Sequence, residues 1–94
     1  MHISRSTVLV IEDNREIRLS ARFVLEDFGF AIAEAESPAH AKDWLARQKA
    51  DLILLDMNFG LDTTSGEEGL SFLAWLQQQA SDIPVVAMTA WSNT

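Results

Sequence analysis

Three carboxylates and one hydroxyl stand where apolar runs end in this chain. Val8-Leu9-Val10-Ile11 stops at Glu12-Asp13, Leu52-Ile53-Leu54-Leu55 stops at Asp56, and Val85-Val86-Ala87-Met88 stops at Thr89. In open α/β sheets, ligands bind beyond the carboxyl ends of the strands, where the strand order reverses. If the first and third strands are neighbours, Glu12, Asp13 and Asp56 converge at such a point. Carboxylates that close repel one another and raise one another's pKa. A hard divalent cation relieves the crowding, and Mg²⁺ is typically held by one or two carboxylates with water and phosphate oxygens. Asp56 is then a candidate nucleophile toward phosphorus, giving an aspartyl-phosphate. Thr89 is a candidate donor to a phosphoryl oxygen. Each group has an ordinary reading when taken singly: a helix cap, a loop carboxylate, a strand-end hydroxyl. Their conjunction at three strand ends is far more specific.

The elements that must position these groups follow from periodicity. Thr7–Ile11 and Asp51–Asp56 have no polar face and read as strands buried on both sides. Asp13 and Asn14 are both suitable N-caps for a helix reaching Phe28. In that helix Ile17, Ala21, Val24, Leu25 and Phe28 form the apolar stripe, with Arg18, Arg22 and Glu26 opposite. Gly29 suits a left-handed stop. Phe30–Glu34 reads as a short edge strand, and Ser37-Pro38 opens a second helix that runs to about Gln48 with Ala41, Trp44 and Leu45 inward. After a loop from Met57 to Gly66, Ser65-Gly66-Glu67-Glu68 has the form of a capping box. The third helix carries Leu70, Leu73 and Leu76, with Phe72 and Trp75 beside them, to about Gln79. Ile83–Met88 is the fourth strand, with Pro84 tolerable near its start. Alternating strands and amphipathic helices predict an α/β domain, a doubly wound parallel sheet with helices on both faces and right-handed crossovers.

Composition excludes several classes. The chain has 94 residues, 48% of them apolar, and a net charge of −7 with only 7 Lys and Arg. That suffices for one domain, and the absence of a basic run argues against direct nucleic-acid binding. No apolar run approaches the ~18 residues of a membrane span, and the first residues lack an apolar signal core. With no cysteine there is no disulfide or thiolate metal site. By elimination the chain reads as cytoplasmic. His2 and His40 are isolated and read as surface residues. No P-loop, G-x-S-x-G or G-x-G-x-x-G motif occurs.

The segments Val8–Asn14, Leu52–Asn58 and Ile83–Ala90 together resemble the receiver domain of two-component response regulators, and the likeness runs over nearly the whole chain. It implies a flavodoxin-like fold with strand order 2-1-3-4-5. It implies that Asp56 is the phospho-acceptor, that Glu12 and Asp13 hold Mg²⁺, and that Asn58 completes the metal shell through its backbone carbonyl. Thr89 matches the switch hydroxyl, and Ala90 the small residue beside it. The implied partners are a histidine kinase or phosphotransfer protein, an output domain and a second copy in a homodimer. The long loop after Asn58 is similar to that of receivers fused to transcription-activating ATPase and DNA-binding domains of the sigma-54 type, so the expected output is transcriptional.

Two departures stand out. The family's fifth strand, last helices and strand-five lysine have no counterpart; Lys42 and Lys49 lie in and after the second helix and cannot replace that lysine. Residues 1–94 are thus expected to be a receiver domain incomplete at its C-terminus, with the fourth strand as an apolar edge. Phe59-Gly60 also stand where the family has methionine-proline, in a longer loop best read as turn chemistry and a helix cap. Two other functions compete: a receiver-like domain that only binds, and a phosphohydrolase of the haloacid-dehalogenase type. The latter needs a second aspartate two residues after the nucleophile, where this chain has Asn58.

Overall fold

The computed structural model, which describes residues 5–56, 67–79 and 82–88, alternates strands and helices throughout. The order is β1 (Thr7–Ile11), α1 (Arg15–Asp27), β2 (Ala31–Ala35), α2 (Pro38–Arg47), β3 (Leu52–Asp56), α3 (Glu67–Gln78) and β4 (Val85–Met88). The four strands form one sheet in the order β2-β1-β3-β4, and every pairing is parallel. The expected doubly wound α/β sheet is therefore present, with β2 at its edge.

The direction of travel decides which face each helix covers. The chain steps from β1 to β2 one way, then returns past β1 to β3 and β4 the other way. Right-handed crossovers then put α1 on one face and α2 and α3 on the opposite face. The packing agrees. Leu9, Ile11, Ile53 and Leu55 share one buried cluster with Ala41 of α2 and Phe72 and Leu76 of α3, and no α1 residue belongs to it. Val8 and Val10 alternate to the other side, where α1 touches β1 and β2.

Local chemistry sets the ends. Asn14 is the N-cap of α1, its Oδ1 accepting the Ile17 N–H at 3.1 Å. Ser37 caps α2 by accepting the His40 N–H at 3.1 Å, with Pro38 at the first position. Gly29 follows α1 with φ of +95°. Asp51 stays outside β3, but its carboxylate accepts the Thr7 N–H at 2.7 Å and its own N–H donates to the Thr7 carbonyl at 2.8 Å. This clasp fixes the β1–β3 register at its amino end. β4 begins at Val85 because Pro84 has no N–H to give; its carbonyl still accepts from Ile53 at 3.0 Å. The proposed Ser65 capping box lies outside the described residues.

Two helix faces differ from expectation. In α1 no residue is fully buried, and Ile17, Phe23, Val24 and Phe28 are open to solvent. Arg18 and Arg22, expected to point away, instead reach Glu34 of β2. The cause lies in the register. Glu34 pairs with Val10 on the α1 side of the sheet, and a carboxylate leaning into an apolar layer needs a cationic partner more than that layer needs another leucine. In α3 the stripe is shifted by a position: Gly69, Phe72 and Leu76 are buried while Leu70 is exposed. Phe72 brings Trp75 with it, the rings stacked at 5.8 Å, and Lys42 of α2 sets its ammonium 5.6 Å from the Trp75 ring centre.

An added Cβ at Gly29 meets nothing within 4 Å, so a substitution there reports backbone strain alone. Gly29→Ala should cost about 1–2 kcal/mol of unfolding free energy, and Gly29→Asn clearly less. Urea titration followed by tryptophan fluorescence measures both; equal costs would contradict the left-handed cap.

Candidate metal centre at the carboxyl edge

The site is built by continuing the β1–β3 register. Ile11 is level with Leu55, so the next residues, Glu12 and Asp56, come level where both strands leave the sheet. Asp56 is the last residue of β3 and lies between the ends of β1 and β4, since β3 pairs with both. Glu12 and Asp56 are each only 3% exposed, whereas Asp13 is exposed at the mouth. One carboxylate oxygen from each of Glu12, Asp13 and Asp56 lies within 4.8 Å of the others. The sequence-predicted convergence of these three groups is thus what the fold produces.

Glu12 is held at its N–H, its carboxylate and its carbonyl. Its N–H donates to the Ala35 carbonyl of β2 at 3.0 Å, its Oε2 accepts the Asn14 N–H at 3.0 Å, and its carbonyl accepts from Arg18 Nη1 at 2.8 Å. Burial pushes its carboxyl up to about 8; the Asn14 N–H opposes this, and hydrogen bonds with Asp13 and Asp56 and the Asp56 charge add to the rise. A carboxyl raised in this way would have to release its proton to serve a divalent ion.

The donor set suits a hard cation. All three groups offer oxygen, two of them buried, and no cysteine or histidine is among them. Three carboxylate oxygens within 4.8 Å of one another would fit a hard cation such as Mg²⁺, which Glu12, Asp13 and Asp56 would hold. Asn58 and Thr89, assigned by resemblance to the metal shell and the switch hydroxyl, lie outside the described residues, as do Ala90 and the loop at 57–66. Thr89 follows Met88, whose register partner is Asp56. His40 is exposed, its Nδ1 accepting the Glu36 N–H at 3.4 Å, and takes no part.

Arg18, which reaches the Glu12 carbonyl, was not legible as a neighbour of the site, nor was its pairing with Glu34. Arg18 Nε donates to Glu34 Oε1 at 2.9 Å, Arg22 Nη1 also donates to Glu34, and Arg22 Nε reaches Glu26 at 3.1 Å. Burial would raise the Glu34 carboxyl, but the two guanidiniums outweigh it and hold it below the usual range. The signal that pointed to this pairing was a single carboxylate in an otherwise apolar edge strand.

Glu12 also fixes a pH dependence. Its pKa is raised on folding from 4.5 to about 8, so between those values the native state binds the extra proton. Its contribution is full below pH 4.5 and is lost as pH rises through 8. Without divalent cations, the denaturation midpoint of the wild type should fall more steeply from pH 5 to pH 9 than that of Glu12→Gln. Parallel profiles would contradict a neutral Glu12.

Comparison with known proteins places this geometry. A family model described as the response regulator receiver domain matches residues 8–94. The alginate biosynthesis transcriptional regulatory protein AlgB of Pseudomonas putida is 37% identical over 89 residues, covering 95% of this chain and 19% of that protein. The phosphate regulon transcriptional regulatory protein PhoB of Klebsiella pneumoniae is 42% identical over 85 residues, covering 88% of this chain and 35% of that protein. The chain therefore spans well under half the length of these relatives. Among solved structures, the MaeR response regulator bound to beryllium trifluoride superposes with a TM-score of 0.77 at 30% identity, covering 94% of this chain and 70% of that one. TrrA of Thermotoga maritima, in complex with Mg²⁺ and a beryllium fluoride, has the same fold, with a TM-score of 0.79 at 24% identity, covering 93% of this chain and 71% of that one. A matched family model over almost the full length, on a sheet of order 2-1-3-4 with its acidic cluster at the β1–β3 edge, establishes that the chain belongs to the response regulator receiver domain family.

Proposed function

We propose that this domain is a phospho-accepting switch, with Asp56 as the acceptor and Glu12, Asp13 and the Asn58 carbonyl as the holders of Mg²⁺. The observation that carries this reading is the convergence of three carboxylate oxygens within 4.8 Å around the buried end of β3. An Asp56 Oδ forms a bond to phosphorus as the P–N bond of a phosphohistidine breaks, and the leaving imidazole keeps the electron pair and takes a proton. When bound, Mg²⁺ offsets the charge on the transferring group. Burial of Asp56 excludes water from the attacking oxygen, and the Asn14 N–H holds the Glu12 carboxylate in place. Thr89 is assigned the hydroxyl that turns toward the phosphoryl oxygens, so that the new charge reshapes the β4 side of the domain.

The donor is a histidine kinase or phosphotransfer protein, and the setting is the cytoplasm. Among the described residues no helix is long and apolar enough to cross a membrane. AlgB and PhoB are transcriptional regulatory proteins by name, which supports a transcriptional output carried by a further domain, switched through dimerisation or release. The net charge of −7 leaves DNA contact to that domain. Enzymatic turnover of small phosphate esters is not expected, because Asn58 stands where a haloacid-dehalogenase-type hydrolase has its second aspartate.

Incubation of the full-length protein with acetyl phosphate and Mg²⁺ should add one phosphoryl group to its intact mass. Chelation of the metal and Asp56→Asn should each abolish the gain, and an aryl phosphate should not be turned over. An Asp56→Asn protein that gained the same mass as wild type would refute the assignment.

A further inference from the structure

We infer that Arg18 is a positioning residue for the acidic site: it fixes the main chain between Glu12 and Asp13 and so sets the geometry in which both carboxylates meet a divalent cation. The inference rests on the reading of Glu12, Asp13 and Asp56 as a Mg²⁺ site.

Arg18 sits in the first full turn of α1, and its side chain is 14% exposed. Its guanidinium makes two distinct bonds. Nη1 donates to the Glu12 carbonyl at 2.8 Å and Nε donates to Glu34 Oε1 at 2.9 Å. The planar fork is thereby locked between the end of β1 and the edge strand β2. The Glu12 carbonyl belongs to the peptide group that leads into Asp13. Because that group is planar and trans, fixing the carbonyl fixes the plane and turns the Asp13 N–H the opposite way. The Glu12 N–H is already held by the Ala35 carbonyl at 3.0 Å. With Arg18 in place, both peptide planes flanking Glu12 are held, one on each side of the residue whose carboxylate faces Asp56. Asp13, exposed and beyond the last strand pairing, depends most on the second plane. Glu34 serves as the anchor of the device, and Arg22 braces Glu34 from the next turn.

Charge and position make opposite demands, so they are separable. A guanidinium near a cation site repels the cation; on Coulomb grounds alone, removing Arg18 strengthens Mg²⁺ binding. If Arg18 acts by position, its removal weakens binding despite the lost repulsion.

The test is Mg²⁺ titration of the full-length protein by calorimetry, with thermal melting on the same samples. Arg18→Met keeps the apolar stem and removes the donors. We expect its Mg²⁺ affinity to fall about 10–100-fold, as for other residues that orient metal ligands. Arg22→Met removes the brace and a surface ion pair but leaves the Glu12 carbonyl bonded, and should stay within about twofold of wild type even where it lowers the melting temperature. Arg18→Lys keeps the charge without the fork and should fall between Arg18→Met and wild type; it carries the comparison if Arg18→Met does not fold. Wild-type affinity in Arg18→Met, or in Arg18→Lys where that must serve, would overturn the role, as would an equal loss in Arg22→Met. A wild-type protein that bound no Mg²⁺ would instead refute the metal site on which the inference rests.

Discussion

The crowding of three carboxylates at one point is the constraint on which the rest of this structure turns. Glu12, Asp13 and Asp56 bring oxygen atoms within 4.8 Å of one another, two of them from buried side chains. Left as three anions, they would repel strongly in a medium that screens charge poorly. Burial, with Asp13 and Asp56 beside it, pushes the Glu12 carboxyl up to about 8, so that the cluster is relieved by keeping one of its groups harder to ionise. The tension is an argument for function, because a chain selected only for stability has no reason to place Asp56 and Glu12 level on adjacent central strands.

The sheet creates that level placement from both ends of the β1–β3 pair. At the amino end, the Asp51 carboxylate and the Thr7 N–H lock the register. A slip by one residue would turn Leu9, Ile11, Ile53 and Leu55 out of their shared core and would part Glu12 from Asp56 at the same stroke. Core packing and site geometry therefore rest on one alignment. The reversal of chain direction between β2 and β3 does the rest, since it leaves a gap between crossover connections at the carboxyl ends of β1 and β3.

Much of this was legible in the sequence because it depends on short-range pattern. Uninterrupted apolar runs identified β1 and β3, and turn chemistry at Gly29 and Ser37-Pro38 marked the helix ends within a residue or two. The strand order was implied by the resemblance to receiver domains, and the meeting of Glu12, Asp13 and Asp56 followed on the condition that β1 and β3 are neighbours. What failed was rotation of helices about their axes. In α1 the predicted inward stripe was Ile17, Ala21, Val24, Leu25 and Phe28; Ala21 and Leu25 are half-buried, yet Ile17, Val24 and Phe28 are open and Arg18 is drawn to the sheet. Periodicity measures how apolar residues are spaced, not which partner they meet, and Glu34 on β2 is a partner only after register is known. The same limit applies to α3, where Phe72 rather than Leu70 fills the core because it shares a face with Gly69 and Leu76.

The structure contains two solutions to the problem of a carboxylate that is not free in water, and their contrast is informative. Glu34 is met by the fixed charges of Arg18 and Arg22, which hold it ionised. Such a partner is permanent: a guanidinium stays charged at any physiological pH and cannot be exchanged. At the acidic site the same Arg18 gives a second bond not to a carboxylate but to the Glu12 carbonyl. A guanidinium placed directly on Asp56 would occupy the oxygen proposed to attack phosphorus and would offset its charge permanently. Held one bond back, Arg18 bonds the backbone at Glu12 and gives its ion pair to Glu34. Structural charge is thus met by a permanent partner at Glu34, and the guanidinium of Arg18 lies between that pair and the acidic cluster.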